Sequence, residues 1–543
     1  MAMLTRIKTS EKQEELLEQL SPFELKNTLI KLAQGEARKH ATEFLNAGRG
    51  NPNWIATHPR EAFFTLGQFG LGECRRVLDK LAGLAGIPEK KDIAKRFERF
   101  LQINRGAPGV DLLAAMYKYG IKQHAFEPDA WVHELAESVI GNQYPVPDRM
   151  LVHTEAIVHD YIVQEMCNNE PIEGKYRLFA VEGGTAAMCY IFDSLMQNFL
   201  IKKGEKIALL VPTFTPYIEI PQLERYSFDV TKIHASSMNL EGRHTWQYPD
   251  EELDKLKDPA IRVLFVVNPG NPPSTAIHPN SLKKIAQIVK NENPGLIVVT
   301  DDVYGTFVPG FRSLMAVIPQ NTIGVYSFSK YFGCTGWRLG VVAIHERNIL
   351  DTMIAKLSAD DGRILAQRYG RITLQPEKLS FIDRMVADSR QVALNHTAGL
   401  SLPQQTQMLL FAAFALLDKK NKYKKLTQNL VKKRLKLLWK ELEIPLIEDP
   451  MSACYYSEID IKVWAINVYG QDFMDWLTKN VEPVDILFRL AERTGVVLLN
   501  GGGFDGPEWS IRVSLANLPT SSYSTIGRHI TGIMKEYAAA WKK

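Results

Sequence analysis

The chain is short of cysteine, has no long apolar run and carries almost no excess of either charge. Its 543 residues include five cysteines, Cys74, Cys167, Cys189, Cys334 and Cys454, widely spread and with no C-x-x-C pair. That pattern excludes a disulfide framework and reads as reduced thiols in a cytoplasmic protein. No run of about 18 apolar residues occurs, so no membrane-spanning helix is expected. Met1 to Leu20 is charged and lacks an apolar core, so it is not read as a signal peptide. The net charge is only +4, which gives no global pull toward nucleic acid or a membrane surface. The 12 histidines show no H-E-x-x-H spacing, and no G-x-x-x-x-G-K-[ST] loop exists, so no metal is expected.

What remains is an ordinary soluble-enzyme composition, 45% hydrophobic and 23% charged, in a chain too long for one simple core. Residues 1 to about 150 read as mostly helical. Ser21-Pro22-Phe23-Glu24 marks a helix start, 60–83 and 91–102 carry helical spacing, and Ala47–Asn53 is a loop rich in Gly, Asn and Pro. From about 150 to 350, short apolar runs alternate with helical stretches: Leu178–Val181, Lys206–Val211, Arg262–Val267, Leu296–Thr300 and Ile323–Tyr326. Runs of this kind without strict alternation are buried on both faces, the mark of an α/β fold with a mostly parallel sheet. The segment 350–395 reads as polar helix. The lysine-rich stretch Asp418–Glu443, Arg434 included, reads as a solvated helix face, with Leu426, Leu430, Leu435, Leu437 and Leu438 packed inward. Strands return near Val496–Leu499 and Ile511–Leu515.

Ligands of open α/β sheets bind at the carboxyl ends of the strands, and five loops there carry chemistry. In Tyr326–Gly340, Lys330 follows two serines and precedes Arg338 by eight residues. A lysine amine can form a Schiff base with the aldehyde of pyridoxal 5'-phosphate (PLP), while Ser327, Ser329 and the planar guanidinium surround its phosphate. Glu182–Ala187 offers Gly184 and Thr185 at a helix start, where backbone N–H groups favour an anion. Phe214 can stack on a pyridine ring. Asn271, in the second of two Asn-Pro pairs that make a rigid turn, can face a phenolic oxygen. In Thr300–Tyr304, Asp301 can pair with the pyridinium nitrogen. At ~4 Å that pairing is worth about 4 kcal/mol at an effective dielectric of ~20, before desolvation. Tyr304 is expected near the phenolic oxygen. The Asp301-Asp302 pair leaves a Mg²⁺ site as the alternative.

In this order the motifs resemble those of the fold-type I, aspartate-aminotransferase-like PLP enzymes, over roughly residues 140 to 520. The resemblance implies a large PLP domain of mostly parallel sheet (151–395) and a small α+β domain from both termini (1–60 and 396–543). A helical insertion (61–150) is added. It implies an active site shared between two subunits, with Lys330 as the Schiff-base residue. It also implies that Tyr144, in Asn142-Gln143-Tyr144-Pro145, reaches the neighbouring subunit's phosphate. Arg512, in Ile511–Asn517, would clamp the substrate α-carboxylate.

Nearly the whole chain, including Gly48-Arg49-Gly50-Asn51-Pro52-Asn53 and Thr300–Phe307, is similar to the aspartate 4-decarboxylases. That similarity implies β-decarboxylation of L-aspartate to L-alanine and CO2, aminotransfer with a keto acid, and homodimers that build larger homo-oligomers. It places Arg49 near the substrate's far end, so that Arg49→Ala is expected to lower aspartate use and shift the product ratio. Some members carry arginine in the loop that here reads Asn500-Gly501-Gly502-Gly503-Phe504. The alternative is an aminotransferase without significant decarboxylation. A PLP-binding regulator would need a basic winged helix, and residues 1–100 mix acids and bases evenly.

Overall fold

The computed structural model describes residues 21–40, 43–79, 83–145, 149–390, 399–446 and 448–542. The reading of Met1–Leu20 and the end of the polar 350–395 segment therefore fall outside the described residues.

Seven strands form the central sheet: β1 (Tyr176–Val181), β2 (Lys206–Val211), β3 (Asp229–His234), β4 (Ile261–Val267), β5 (Ile297–Asp301), β6 (Thr322–Ser327) and β7 (Gly340–His345). Their order is β1-β7-β6-β5-β4-β2-β3, with β7 antiparallel to both neighbours and the other pairings parallel. Six strands thus run one way. The inner strands are buried along their lengths, as their Val, Ile and Leu runs require. Sequence reading found five of the seven strands. It missed β3, an edge strand whose residues are mostly half-buried or exposed, and β7, which begins at Gly340, the last residue of the Lys330 motif.

Early and late segments of the described chain meet. Leu45–Asn46 pairs in parallel with Val496–Val497. Tyr456–Asp460, Ser510–Ser514 and Leu499–Asn500 form a three-stranded antiparallel sheet. The helix Pro22–His40 starts where the Ser21-Pro22 pair predicts, with proline in its first turn.

Helices Thr57–Arg76, Ile93–Ile103, Val110–His124 and Pro128–Ile140 pack around Phe69, Phe97, Met116 and Trp131, all buried. The first of these ends at Arg76, short of the 60–83 expectation, because Leu78–Asp79 pairs with Leu84–Ala85 instead. The lysine-rich helix spans Lys422–Glu441. Two of its residues differ from expectation. Arg434 is buried, donating to the Leu515 and Ala516 carbonyls and to Asn53 Oδ1. Leu426 is 69% exposed. Periodicity could not show that a cation is needed to satisfy the carbonyls of the 515–516 turn.

Candidate active site

The five motif loops converge at the carboxyl ends of β1, β2, β4, β5 and β6, around a cavity of about 240 Å³. Eleven of the thirteen residues singled out in the sequence line it; Tyr144 and Arg49 do not.

The phosphate side is built first. Helix Gly184–Gln197 begins directly after β1, so its free N–H groups point at the cavity, with Gly184 and Thr185 on its lining. Ser327 and Ser329 are buried, and their hydroxyls lie 3.0 Å apart. Arg338 has φ 56°, a left-handed conformation, and donates Nη1 to the Thr335 carbonyl at 3.0 Å. Gly183, at φ 96°, lets it fold back: a methyl group there would lie 2.6 Å from Arg338 Nη2. Two hydroxyls, a guanidinium and a helix start in one corner suit a phosphate dianion.

Asp301 closes the deep end. It is 7% exposed, and Oδ2 accepts from the Tyr217 hydroxyl at 2.5 Å while Oδ1 accepts from Val303 N–H at 3.2 Å. Burial pushes its carboxyl above the ordinary value, opposed by the Tyr217 and Val303 hydrogen bonds and by the charge of Lys330. A buried carboxylate held by two donors is ready for a cationic partner. Asp302 points elsewhere. Its oxygens accept from Thr300 Oγ1 at 2.7 Å and Ser313 Oγ at 2.5 Å, and burial raises it to about 7. The two carboxyls are therefore held by different partners. Phe214 lies on the lining with its ring 5.6 Å from Tyr217 and 5.8 Å from Phe23.

The opposite wall comes from the chain's ends. Lys330 Nζ donates to the Gly50 carbonyl at 3.2 Å. Arg512 is 1% exposed, donating Nη1 to Asn271 Oδ1 and Nη2 to the Gly48 carbonyl, each at 3.0 Å. Its Nε has no partner among the described residues. The guanidinium carbon sits between the rings of Tyr456 (4.4 Å) and Phe504 (4.9 Å). Burial lowers its pKa from the usual arginine value. A buried guanidinium with a spare donor is built for an acid ligand. Because Asn271 gives its oxygen to Arg512, its amide N–H₂ is left to donate.

Arg49 is exposed, although the carbonyls of its neighbours Gly48 and Gly50 reach inward. Its charge acts on Lys26, whose pKa is lowered first by burial and then by Arg49 and Arg512. Tyr144 is 64% exposed. Gly502 lies off the lining, in a turn whose Gly503 and Phe504 carbonyls accept from Thr215 Oγ1 and Thr213 N–H. Sequence reading missed Phe23, Tyr217 and Tyr456. Tyr217 had a usable signal, three residues after Phe214 in the same strand-end loop; Tyr456 had none beyond an aromatic pair.

The residues around the cavity fit PLP: a phosphate corner, an acid for the ring nitrogen, donors for the phenolic oxygen and a lysine. Fold and site together define a chain of the class I and II aminotransferase family, and it belongs to that family, whose model matches residues 180–530. Over 527 residues it is 46% identical to a bifunctional aspartate aminotransferase and L-aspartate beta-decarboxylase of Pseudomonas sp, covering 97% of this chain and 98% of that one. Its fold is shared with an aromatic aminotransferase from Pyrococcus horikoshii (TM-score 0.56, 18% identity, 92% and 98% covered). An aspartate aminotransferase from Thermotoga maritima matches equally (TM-score 0.56, 14% identity, 96% and 98% covered).

Proposed function

We propose that this protein is a PLP-dependent enzyme that converts L-aspartate to L-alanine and CO2, with aspartate aminotransfer as a second activity. The near full-length similarity to a bifunctional enzyme supports both halves. One observation favours decarboxylation over a plain aminotransferase. The cations among the described residues lining the cavity are Lys330, Arg338 and Arg512. Each already has a role, at the cofactor aldehyde, the phosphate and the α-carboxylate. None is left on the lining for the β-carboxylate. A strong ion pair there would stabilise the charged ground state and weaken as CO2 leaves, and only stronger binding of the transition state accelerates a reaction.

PLP, once bound, supplies the electron sink. Lys330 would hold the cofactor through its amine, and the free amine would take and return the proton at the substrate's Cα. Asp301, fixed by Tyr217, keeps the ring nitrogen protonated. Asn271 and Tyr304 donate to the phenolic oxygen, and Phe214 covers the ring. Gly184, Thr185, Ser327, Ser329 and Arg338 hold the phosphate. Arg512 clamps the α-carboxylate and so sets which bonds at Cα are exposed to the base. The active unit is a homodimer within a larger assembly, in which Tyr144 completes the neighbouring phosphate site and Arg49 stands at the mouth. The two ends of the chain form the small domain, and residues 61–150 are an added helical layer.

The test is to incubate the PLP-loaded protein with L-aspartate and no keto acid, following CO2 and alanine together. Sustained equimolar CO2 and alanine establish the decarboxylase. Conversion of the cofactor to its amine form without CO2, reversed only by a keto acid, establishes an aminotransferase instead.

A further inference from the structure

Tyr456 is buried, 3% exposed, and enters the cavity from the three-stranded sheet. It touches two functional groups and faces a third. Its ring packs on the Arg512 guanidinium at 4.4 Å. Its hydroxyl lies 2.9 Å from the Tyr304 hydroxyl, and Tyr304 is equally buried. A methyl group on Gly50 would lie 2.6 Å from Tyr456 Oη and 3.2 Å from Lys330 Nζ, so the hydroxyl and the amine share one small space beside that glycine.

A pair of buried hydroxyls has two protons but uses one in the bond between them. If Tyr304 donated to Tyr456, its own proton would be unavailable to anything in the cavity. If Tyr456 donates to Tyr304, the Tyr304 proton is free, and Tyr304 becomes the stronger donor because its oxygen already accepts a bond. The second arrangement also leaves the lone pairs of Tyr456 toward the Lys330 amine.

We propose that Tyr456 is a positioning residue with two separable actions. Its hydroxyl directs the Tyr304 proton into the cavity, toward the phenolic oxygen of the cofactor, and its ring holds the Arg512 guanidinium for the α-carboxylate. This rests on the function proposed above.

Tyr456→Phe removes the first action and keeps the second; Tyr456→Leu removes both. With a weaker donor at the phenolic oxygen, the anionic form of the bound cofactor is less favoured. The pH midpoint of its visible absorption band therefore rises in Tyr456→Phe, by about 0.5–1 unit for the loss of one net hydrogen bond. kcat falls about 3- to 10-fold by the same reasoning, while KM for aspartate stays within about 2-fold. Tyr456→Leu adds a rise in KM of about 10-fold, the loss of a buried contact to a guanidinium. In a Tyr304→Phe background, Tyr456→Phe leaves the midpoint where Tyr304→Phe alone puts it, because one residue acts through the other. An unchanged midpoint in Tyr456→Phe, or additive shifts in the double variant, overturns the proposal. If the parent protein itself shows no visible band with PLP, the functional reading fails rather than this one.

Discussion

The two walls of the cavity are made in different ways. One consists of loops that leave the central sheet within 155 positions, from Gly184 to Arg338, each fixed by the strand before it. The other gathers Gly48, Gly50, Tyr456 and Arg512 from the ends of the chain. The Arg512 hydrogen bonds span 241 and 464 residues in sequence, and that of Lys330 spans 280. Strands buried on both faces give the first wall little freedom. The second depends on the packing of one set of elements against another, the kind of contact through which closure around a ligand works. In the function proposed above, the groups assigned to the cofactor fall on the first wall and the group assigned to the substrate's carboxylate on the second.

Substitutions should divide along the same line. The largest effect belongs to Lys330→Ala, on the first wall. Turnover of aspartate should fall by about 10⁴-fold, the upper range for removing a proton-transferring group, and the covalent absorption band should vanish. Absorption spectra and single-turnover product assays check both. Arg512→Ala, on the second wall, should lower kcat/KM about 10²- to 10³-fold, the size of two charge-assisted hydrogen bonds. It should leave the absorption band and PLP affinity intact. If Arg512→Ala also releases PLP, the division between the walls fails. Arg49→Ala should change kcat/KM by less than about threefold, because an exposed cation contributes little, and should show mainly in the alanine-to-oxaloacetate ratio. A larger loss would mean that the Gly48–Gly50 loop carries Arg49 inward when aspartate binds.

The walls also differ in how well the sequence disclosed them. On the first, the pattern is local: a strand, a turn and a reactive residue lie within a dozen positions, so the place of Lys330, Asp301 and Asn271 on one lining was legible. The partner of Asp301 was not, because a hydrogen bond from Tyr217 across 84 residues leaves no local pattern. On the second wall, Arg512 was placed only through a family likeness. Tyr456 reads in isolation as strand filler, and its meaning comes from Tyr304, 152 residues away. The same holds for the fold. β1, β2, β4, β5 and β6 declare themselves by continuous apolar runs, whereas the two-residue pairing of Leu45–Asn46 with Val496–Val497 is too short to leave a period.

Each wall also has a buried carboxyl behind it, and these sharpen the comparison by pH. Burial raises Glu458, the register partner of Arg512, to about 8, against opposing pulls from the Ser510 hydrogen bond and the Arg512 charge. Its unfolded counterpart loses its proton near 4.5. Between those values the folded chain holds a proton that the unfolded chain has lost, so stability falls as pH rises from about 4.5 to about 8 and levels off above. Asp302, behind the first wall, acts with the same sign up to about 7. Glu458→Gln isolates the first effect. The Ser510 hydroxyl donates to Oε1 at 3.0 Å, and the amide oxygen of glutamine can accept that bond, whereas the amino group of an Asp302→Asn variant could not replace a carboxylate accepting from both Thr300 and Ser313. The difference in melting temperature between Glu458→Gln and the parent should therefore be small near pH 5 and grow in favour of the variant up to pH 8. Asp302, unchanged in both, cancels from that difference. A pH-independent difference would mean that Glu458 is already ionised in the folded chain, the Arg512 charge outweighing the burial that raises it.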